Sequence, residues 1–398
     1  MKSVNKTDTA VTATFTGGGT GGHIYPGLAV ADALRSICKK NCVKVKICWI
    51  GNNSGMDKNI VEKNVCADGI KSADVFYGIP SGKLRRYFSI RNFFDLFKIL
   101  GGCIASFFIL LKIKPAFLFS KGGFVSVPPC FAAKLLGIPI LTHECDFTPG
   151  LATKLNSRFA DKILISYKET ADYLNQSAKS KAVVTGNPVR PVFYCASAER
   201  GRNFIGISGE KPVLLVIGGS LGARQINELV EKNIESLCKN FTVVHQTGIK
   251  NAASEPAEHS EEVKKNYRPF PFIYDEMPDV IAAADIVLSR AGANSIWECS
   301  VLGKPMILIP LCGSGTRGDQ EDNAAYFEKC GAAAVLSRES VTDENLLNTL
   351  KTFLDKDKRQ RYAEASLQLS AGKNPAETIA QILYNYLNFE NSLYAKPV

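Results

Sequence analysis

The sequence predicts an α/β protein with two doubly wound parallel-sheet domains, and three observations carry that reading. β-branched and aromatic runs alternate with helical patterns along the whole chain, the signature of βαβ units. Residues 117–141 (FLFSKGGFVSVPPCFAAKLLGIPIL) and 286–309 (IVLSRAGANSIWECSVLGKPMILI) follow one plan: strand, Ser-basic-x-Gly turn, small-residue helix, Leu-Gly-x-Pro, strand. A glycine-rich turn also stands between strand and helix once in each half, in TFTGGGTGGHIYPGLAVADAL and in LLVIGGSLGARQINELV. At 398 residues the chain exceeds what one core accommodates, so two domains of roughly 180 residues each are expected.

Taken in order, strands are expected at residues 12–16, 43–50, 116–119, 139–142, 163–166, 213–217, 241–245, 286–289 and 306–310. One amphipathic helix follows the second glycine turn, with Ile226, Leu229, Val230, Ile234 and Leu237 on its inner face. Two prolines and a glycine in GNPVRP (186–191) interrupt the pattern and mark a border, giving domains at 1–189 and 190–371. Polar residues 255–265 read as a surface loop or helix edge. Asn374-Pro375-Ala376-Glu377 is a helix start, with a cap, a Pro in first position and an acid three residues after the cap. Residues 372–398 therefore carry a terminal helix whose apolar face (Ile379, Ile382, Leu383, Tyr386, Leu387) must dock.

Composition sets the outer limits. With 45% hydrophobic and 22% charged residues the chain is globular, neither disordered nor fibrous. A net charge of +10 favours anionic partners such as phosphate, nucleotide or an acidic membrane surface. The longest apolar run, residues 99–111, has 13 residues where a spanning helix needs about 20, so no spanning segment is expected. The N-terminus lacks the apolar stretch of a secretory signal. Twelve cysteines without paired CxxC spacing read as reduced thiols, and four histidines without ligand spacing argue against structural zinc.

The chemistry concentrates at the glycine turns. Residues 17–22 (GGGTGG) hold five glycines in six positions, more than a tight turn requires, ahead of a helix with Pro26 in its first turns. Glycines let backbone N–H groups approach a bulky anion, and the helix start adds free donors and a positive dipole end. The spacing matches neither the dinucleotide fingerprint nor a triphosphate loop. Gly218-Gly219-Ser220-Leu221-Gly222 repeats the arrangement, with Ser220 able to donate to a phosphate and Arg224 read as a solvated helix residue. Two such loops suggest a cleft in which one diphosphate is held by main-chain amides from both sides. Arg190, beside the border, suits a diphosphate or is a surface cation.

His23 stands on the first turn after the first loop, where the dipole favours the neutral imidazole, able to accept a proton or simply to pack. His143-Glu144-Cys145-Asp146 follows a strand at the sheet edge where ligands bind, placed to read sugar hydroxyls or to be buried and hydrogen-bonded. His245, ending a strand, reads as structural. Glu298, on an otherwise buried helix beside Trp297, has the placing of an acid that holds two ribose hydroxyls. Residues 319–323 follow another Gly-rich loop and are polar enough to reach the same cleft. Between residues 83 and 114, seven basic residues (Lys83, Arg85, Arg86, Arg91, Lys98, Lys112, Lys114) flank adjacent aromatic pairs, Tyr87-Phe88 and Phe93-Phe94, against one acid, Asp95. That is the pattern of an interfacial anchor on an anionic leaflet, or of a buried helix pair with a basic rim.

Seven segments in order, GGGTGGHIYPGLAVADAL, SKGGFVSVPP, LGIPILTHECDFTPGLA, TGNPVR, GGSLGARQIN, SRAGANSIWE and DQEDNAAYF, are similar to the MurG family of peptidoglycan glycosyltransferases (family 28 type) over nearly the whole chain. The resemblance implies the GT-B fold: two Rossmann-like domains facing a cleft, the first binding acceptor and membrane, the second UDP-N-acetylglucosamine, with the terminal helix packing back on the first. It implies donor contacts at Thr20, Gly21 and Gly22, at Arg190, at Ser220 and at Ile273, whose backbone faces uracil. They continue through Ala293, Asn294, Ser295, Ile296, Trp297 and Glu298, the last on the ribose, and end at Gln320 near the sugar. The first loop would face the acceptor's pyrophosphate.

The implied reaction is inverting. The muramyl 4-hydroxyl of an undecaprenyl-pyrophosphoryl-muramyl-pentapeptide attacks the anomeric carbon as UDP leaves, with His23 as base and Asp146 the runner-up. The family often has Asn where this chain has Asp146, and an ionised carboxylate only accepts hydrogen bonds. The implied partners are those two substrates and an anionic cytoplasmic membrane surface through residues 83–114, without nucleic acid. The residues require no cofactor, and a divalent cation is compatible with them. The alternatives are another GT-B enzyme on UDP-sugars (a lipid glycosyltransferase or a UDP-GlcNAc epimerase), a nicotinamide oxidoreductase, which wants an acid about 20 residues beyond its glycine loop, and a non-enzymatic peripheral membrane protein.

Overall fold

Parallel strands buried on both faces need near-continuous apolar sequence, and the runs that read most clearly as strands lie at the centres of two sheets. The computed structural model describes residues 10–66, 68–82, 90–207, 209–219, 222–249, 260–313, 316–370 and 374–387. The chain divides into two units, Met1–Arg190 with Asn374–Val398, and Pro191–Lys373.

The first unit holds β1 (Val11–Thr16), β2 (Val45–Asn52), β3 (Val75–Ile79), β4 (Phe117–Ser120), β5 (Ile140–Glu144), β6 (Lys162–Ile165) and β7 (Ala182–Val184). All are parallel, in the order β3-β2-β1-β4-β5-β6-β7. Helices α1 (Gly21–Lys40), α2 (Asp57–Lys63), α3 (Ile90–Ile113) and α4 (Val127–Leu135) supply the first crossovers. Alternation decides the faces. Phe15, Trp49, Phe117 and Phe119 pack on one side with α1 and the final helix, Pro375–Leu387. Leu118, Ile140, Ile163 and Ile165 pack on the other with Leu110 of α3 and Cys130 of α4. The final helix starts where expected, since Asn374 Oδ1 accepts from the amides of Ala376 and Glu377. Its Ile379, Ala380, Leu383 and Leu387 are buried in the first unit's core.

The second unit holds β8 (Val213–Ile217), β9 (Thr242–Gln246), β10 (Tyr267–Phe270), β11 (Ile286–Ser289), β12 (Met306–Leu308) and β13 (Ala333–Val335), again parallel, ordered β10-β9-β8-β11-β12-β13. Both sheets are doubly wound, as the sequence predicts. One expected helix is two. The chain after the second glycine turn forms helices Arg224–Lys232 and Ile234–Asn240, broken at Asn233, whose Nδ2 donates to Leu229 O and Asp343 Oδ1. The five expected inward residues are nonetheless all buried.

The 13-residue apolar run lies within a longer apolar helix, α3, so the run understates the apolar length. Its 21 residues Phe93–Ile113 include an 18-residue window of mean hydropathy 2.0, and by length and composition alone the helix could cross a membrane. Asp95, Lys98 and Lys112 bound the run in sequence but weigh little in a helix-long average. The inner face of α3 is docked. Asp95 and Ser106 are buried there, and a Cβ on Gly102 would stand 2.4 Å from Pro80 O. The outer face exposes Phe93, Phe94, Phe97, Leu100, Ile104 and Phe108.

Candidate functional site

In an open parallel sheet, ligands bind beyond the carboxyl ends of the strands where the strand order reverses. That point lies between β1 and β4 in the first unit and between β8 and β11 in the second. All four turns singled out in the sequence, the two glycine loops and the two Ser-basic-x-Gly turns, leave those four strands.

The first loop is shaped from behind by a side chain that sequence reading missed. Asp57, 1% exposed at the start of α2, accepts from Gly19 N at 3.0 Å and from Asn52 N at 2.9 Å. Burial pushes its carboxyl pKa up, and these amides oppose the shift. Gly18 has no room for a side chain, because a Cβ would lie 1.8 Å from Asp57 Oδ2. Gly19 has φ +83°, and the Phe124 ring fills the space a Cβ would take. Thr20 caps α1 without a side-chain bond, its carbonyl accepting from His23 N. Among the described residues, no protein acceptor engages the amides of Thr20 and Gly21. One loop amide is thus taken by Asp57, and two at the helix start are left without a protein acceptor among the described residues.

His23 packs over the turn that follows β4. Gly122 and Gly123 there have φ of +91° and +77°, and a Cβ on Gly123 would meet His23 Cδ2 at 2.8 Å. The Arg190 guanidinium lies 5.2 Å from the Tyr25 ring centroid, a cation–π contact that places it beside the first turns of α1. Thr20, Gly21, Gly22, His23 and Arg190 are therefore brought together within the first unit.

The strip after the fifth strand divides. β5 runs two residues further than expected, so His143 and Glu144 belong to the strand. His143 is buried, its Nε2 paired with Gly186 O at 3.0 Å. Burial, then the charge of Lys121, hold its pKa well below the usual histidine range. Glu144 Oε1 accepts from Cys145 N and Asp146 N, and Oε2 from Gly150 N. Both are braces, and Asp146 lies half-buried on the following loop. The ligand atoms of Glu144, Cys145 and Asp146 lie within 4.8 Å of one another. With one carboxylate engaged by three amides and a soft thiol between, the set does not fit a hard divalent cation.

In the second unit Ser220 lies outside the described residues. Gln246, also missed by the sequence reading, ties the site together: its Nε2 donates to Gly219 O at 3.3 Å and its Oε1 accepts from Ile273 N at 2.9 Å. The Ile273 amide is thus engaged within the protein and its side chain is buried. Ala293, Ile296 and Trp297 are buried, the last edge-on to Phe327, so their side chains serve the core. Asn294, Ser295 and Glu298 are half-buried on the same helix, Ala293–Val301. Gln320 Oε1 accepts from Leu311 N, fixing the loop before its helix. Arg224 pairs with Glu228 on the surface. His245 is structural: Tyr267 and Asn227 bond its two nitrogens, and burial pushes its pKa down to about 4.

Residues 13–165 match the glycosyltransferase family 28 N-terminal domain and residues 213–382 the family's C-terminal domain. A relative from Treponema denticola, named UDP-N-acetylglucosamine–N-acetylmuramyl-(pentapeptide) pyrophosphoryl-undecaprenol N-acetylglucosamine transferase, is 50% identical over 389 residues, covering 95% of this chain and 98% of its own length. A Clostridium tetani relative of the same name is 38% identical, covering 95% and 98%. Among solved structures, Acinetobacter baumannii MurG aligns with a TM-score of 0.70 at 23% identity, covering 94% of this chain and 99% of that one. A Neisseria meningitidis UDP-GlcNAc 2-epimerase bound to UDP-GlcNAc aligns at 0.62 and 14% identity, covering 95% and 99%. At those identities the two structures speak for the fold, two Rossmann-like units of the GT-B kind. By near-full-length identity and by both of its domain matches, this chain belongs to glycosyltransferase family 28.

Proposed function

We infer that this chain is an inverting hexosyltransferase that moves N-acetylglucosamine from UDP-N-acetylglucosamine to the muramyl 4-hydroxyl of undecaprenyl-pyrophosphoryl-N-acetylmuramyl-pentapeptide, a step of peptidoglycan synthesis. The observation that carries this is the 50% identity, over 95% of the chain, to a transferase of that name. The epimerase alternative rests on 14% identity, which reaches architecture and no further. Radiolabelled UDP-N-acetylglucosamine incubated with the lipid-linked acceptor should yield labelled lipid and free UDP. Label that remains on UDP while the sugar changes configuration would make the chain an epimerase.

The residues divide the work by chemistry. Negative charge grows on the leaving diphosphate, and Arg190 and main-chain amides are suited to stabilise it. Glu298 lies half-buried on a helix that starts at the sheet's switch point, and on this reading its carboxylate accepts from the ribose hydroxyls. His23 takes the proton of the attacking hydroxyl, with Asp146 the alternative base.

The same reading places the enzyme on the cytoplasmic face of the membrane through α3. With Asp95 and Ser106 docked inward and eight large apolar side chains exposed outward, α3 has the form of an interfacial helix. Lys98, Lys112 and Lys114 add attraction to anionic headgroups. Each exposed Phe contributes about 1.5–3 kcal/mol on burial, so Phe94→Asp, Phe97→Asp and Phe108→Asp together should lower partitioning onto anionic vesicles by more than about 100-fold. Co-sedimentation with phosphatidylglycerol vesicles measures this; undiminished binding of the triple variant would assign the membrane contact elsewhere.

A further inference from the structure

The two Ser-basic-x-Gly turns hold the same place in their sheets, after β4 and after β11, and serve as internal controls for one another. In the second unit, Arg290 Nη1 donates to Gln225 Oε1 at 3.0 Å, Ile309 O at 3.0 Å and Pro310 O at 3.1 Å. In the first, Lys121 is 1% exposed and its Nζ, wholly enclosed, has no hydrogen-bond partner. Its amide donates to Thr16 O at 2.8 Å, at the end of β1. Its Cβ lies 3.3 Å from where a Cβ on Gly17 would stand and 3.5 Å from the same point on Gly27. The base of the side chain is therefore wedged between the first residue of the glycine loop and α1. Its charge reaches His143, whose own Nδ1 is enclosed and unpartnered.

A cation withdrawn from water without a partner is costly to a fold, and such groups call for an explanation. Asp57, which also touches the loop, is already satisfied by the amides of Gly19 and Asn52. Lys121 has no such compensation within the protein. We propose that Lys121 is the counter-charge of the first glycine loop, a positioning residue that acts through the loop and α1 to draw the diphosphate of the lipid-linked acceptor onto the amides of Thr20 and Gly21. Behind the loop its field is screened far less than that of a surface lysine. The identity of the diphosphate rests on the transferase reading; the existence of an anion site does not.

Lys121→Met keeps the length of the side chain and removes its charge. In the full chain it should raise the acceptor KM by about tenfold or more while leaving donor KM and calorimetric UDP affinity within about twofold. Inorganic pyrophosphate should raise the Tm of the unsubstituted protein and shift that of Lys121→Met much less. Without ligand, Lys121→Met should melt no lower, since an unpaired buried charge has gone. A lower Tm with unchanged acceptor KM and unchanged pyrophosphate response makes Lys121 a packing residue and overturns the proposal. Should Lys121→Met fail to fold, Lys121→Gln is read by the same two measurements. If the unsubstituted protein transfers no sugar but its pyrophosphate response still depends on Lys121, the transferase reading fails and the anion site stands.

Discussion

Replacing His23 by alanine is expected to slow sugar transfer by about 10²–10⁴-fold, the usual worth of a general base, with donor affinity little changed. The ring has no freedom to stand in for another function. It packs against Gly122 and Gly123, both held at positive φ, on the first turn of α1. Steady-state kcat and calorimetric UDP binding, measured side by side, separate chemistry from binding. If the loss is less than about tenfold, His23 is not the base. A larger loss for Asp146→Ala, with removal of the acid limb of the pH–rate profile, would pass the role to Asp146.

Gly18→Ala should cost both activity and stability. The added Cβ would overlap Asp57 Oδ2 at 1.8 Å and crowd Val125 Cγ2 at 3.3 Å. Asp57 is buried and held by two amides, so it retreats only by giving up those bonds. Overpacking of this kind costs about 1–3 kcal/mol, which for a unit of this size lowers Tm by roughly 2–12 °C. Displacement of the loop should reduce turnover by about 100-fold, the scale of a small misplacement in a positioned site. The double variant Gly18→Ala/Asp57→Ala relieves the overlap, so its Tm should lie close to that of Asp57→Ala alone. Additive losses in a thermal melt would mean that Asp57 is not what confines Gly18.

The legibility of the fold follows where each strand sits. The nine expected strands are the inner ones. The four that the sequence did not disclose, β3, β7, β10 and β13, are the four edges of the two sheets. Edge strands pair on one side only, so they tolerate Gly78 and Pro269 and carry less of the apolar run that marks a strand. Asn233 hid its helix break because the five apolar positions keep their faces across it.

At the site, the glycines were legible and their causes were not. Gly18 and Gly19 are dictated by Asp57 and Phe124, which arrive from 38 or more residues away. Glu144 and His143 looked like sugar readers because a side chain's type does not disclose that backbone atoms already satisfy it. Ile296 and Trp297 fall in the segment for which the resemblance implies donor contacts, but they lie on the face of the Ala293–Val301 helix that is buried in the core. Lys121 had a visible signal, the Ser-basic-x-Gly repeat, and only the contrast with Arg290 gave it meaning.

The return of the last helix to the first unit sets an order of events during synthesis. Ala376, Ile379, Ala380, Leu383 and Leu387 close the core against α1, yet the whole of Pro191–Lys373 is translated before them. At about 5–20 residues per second, the ribosome leaves that side of α1 bare for roughly 10–40 s. The second unit can finish folding in that interval, while the first waits with apolar surface uncovered and open to chaperones. The half of the chain made first is thus the half completed last.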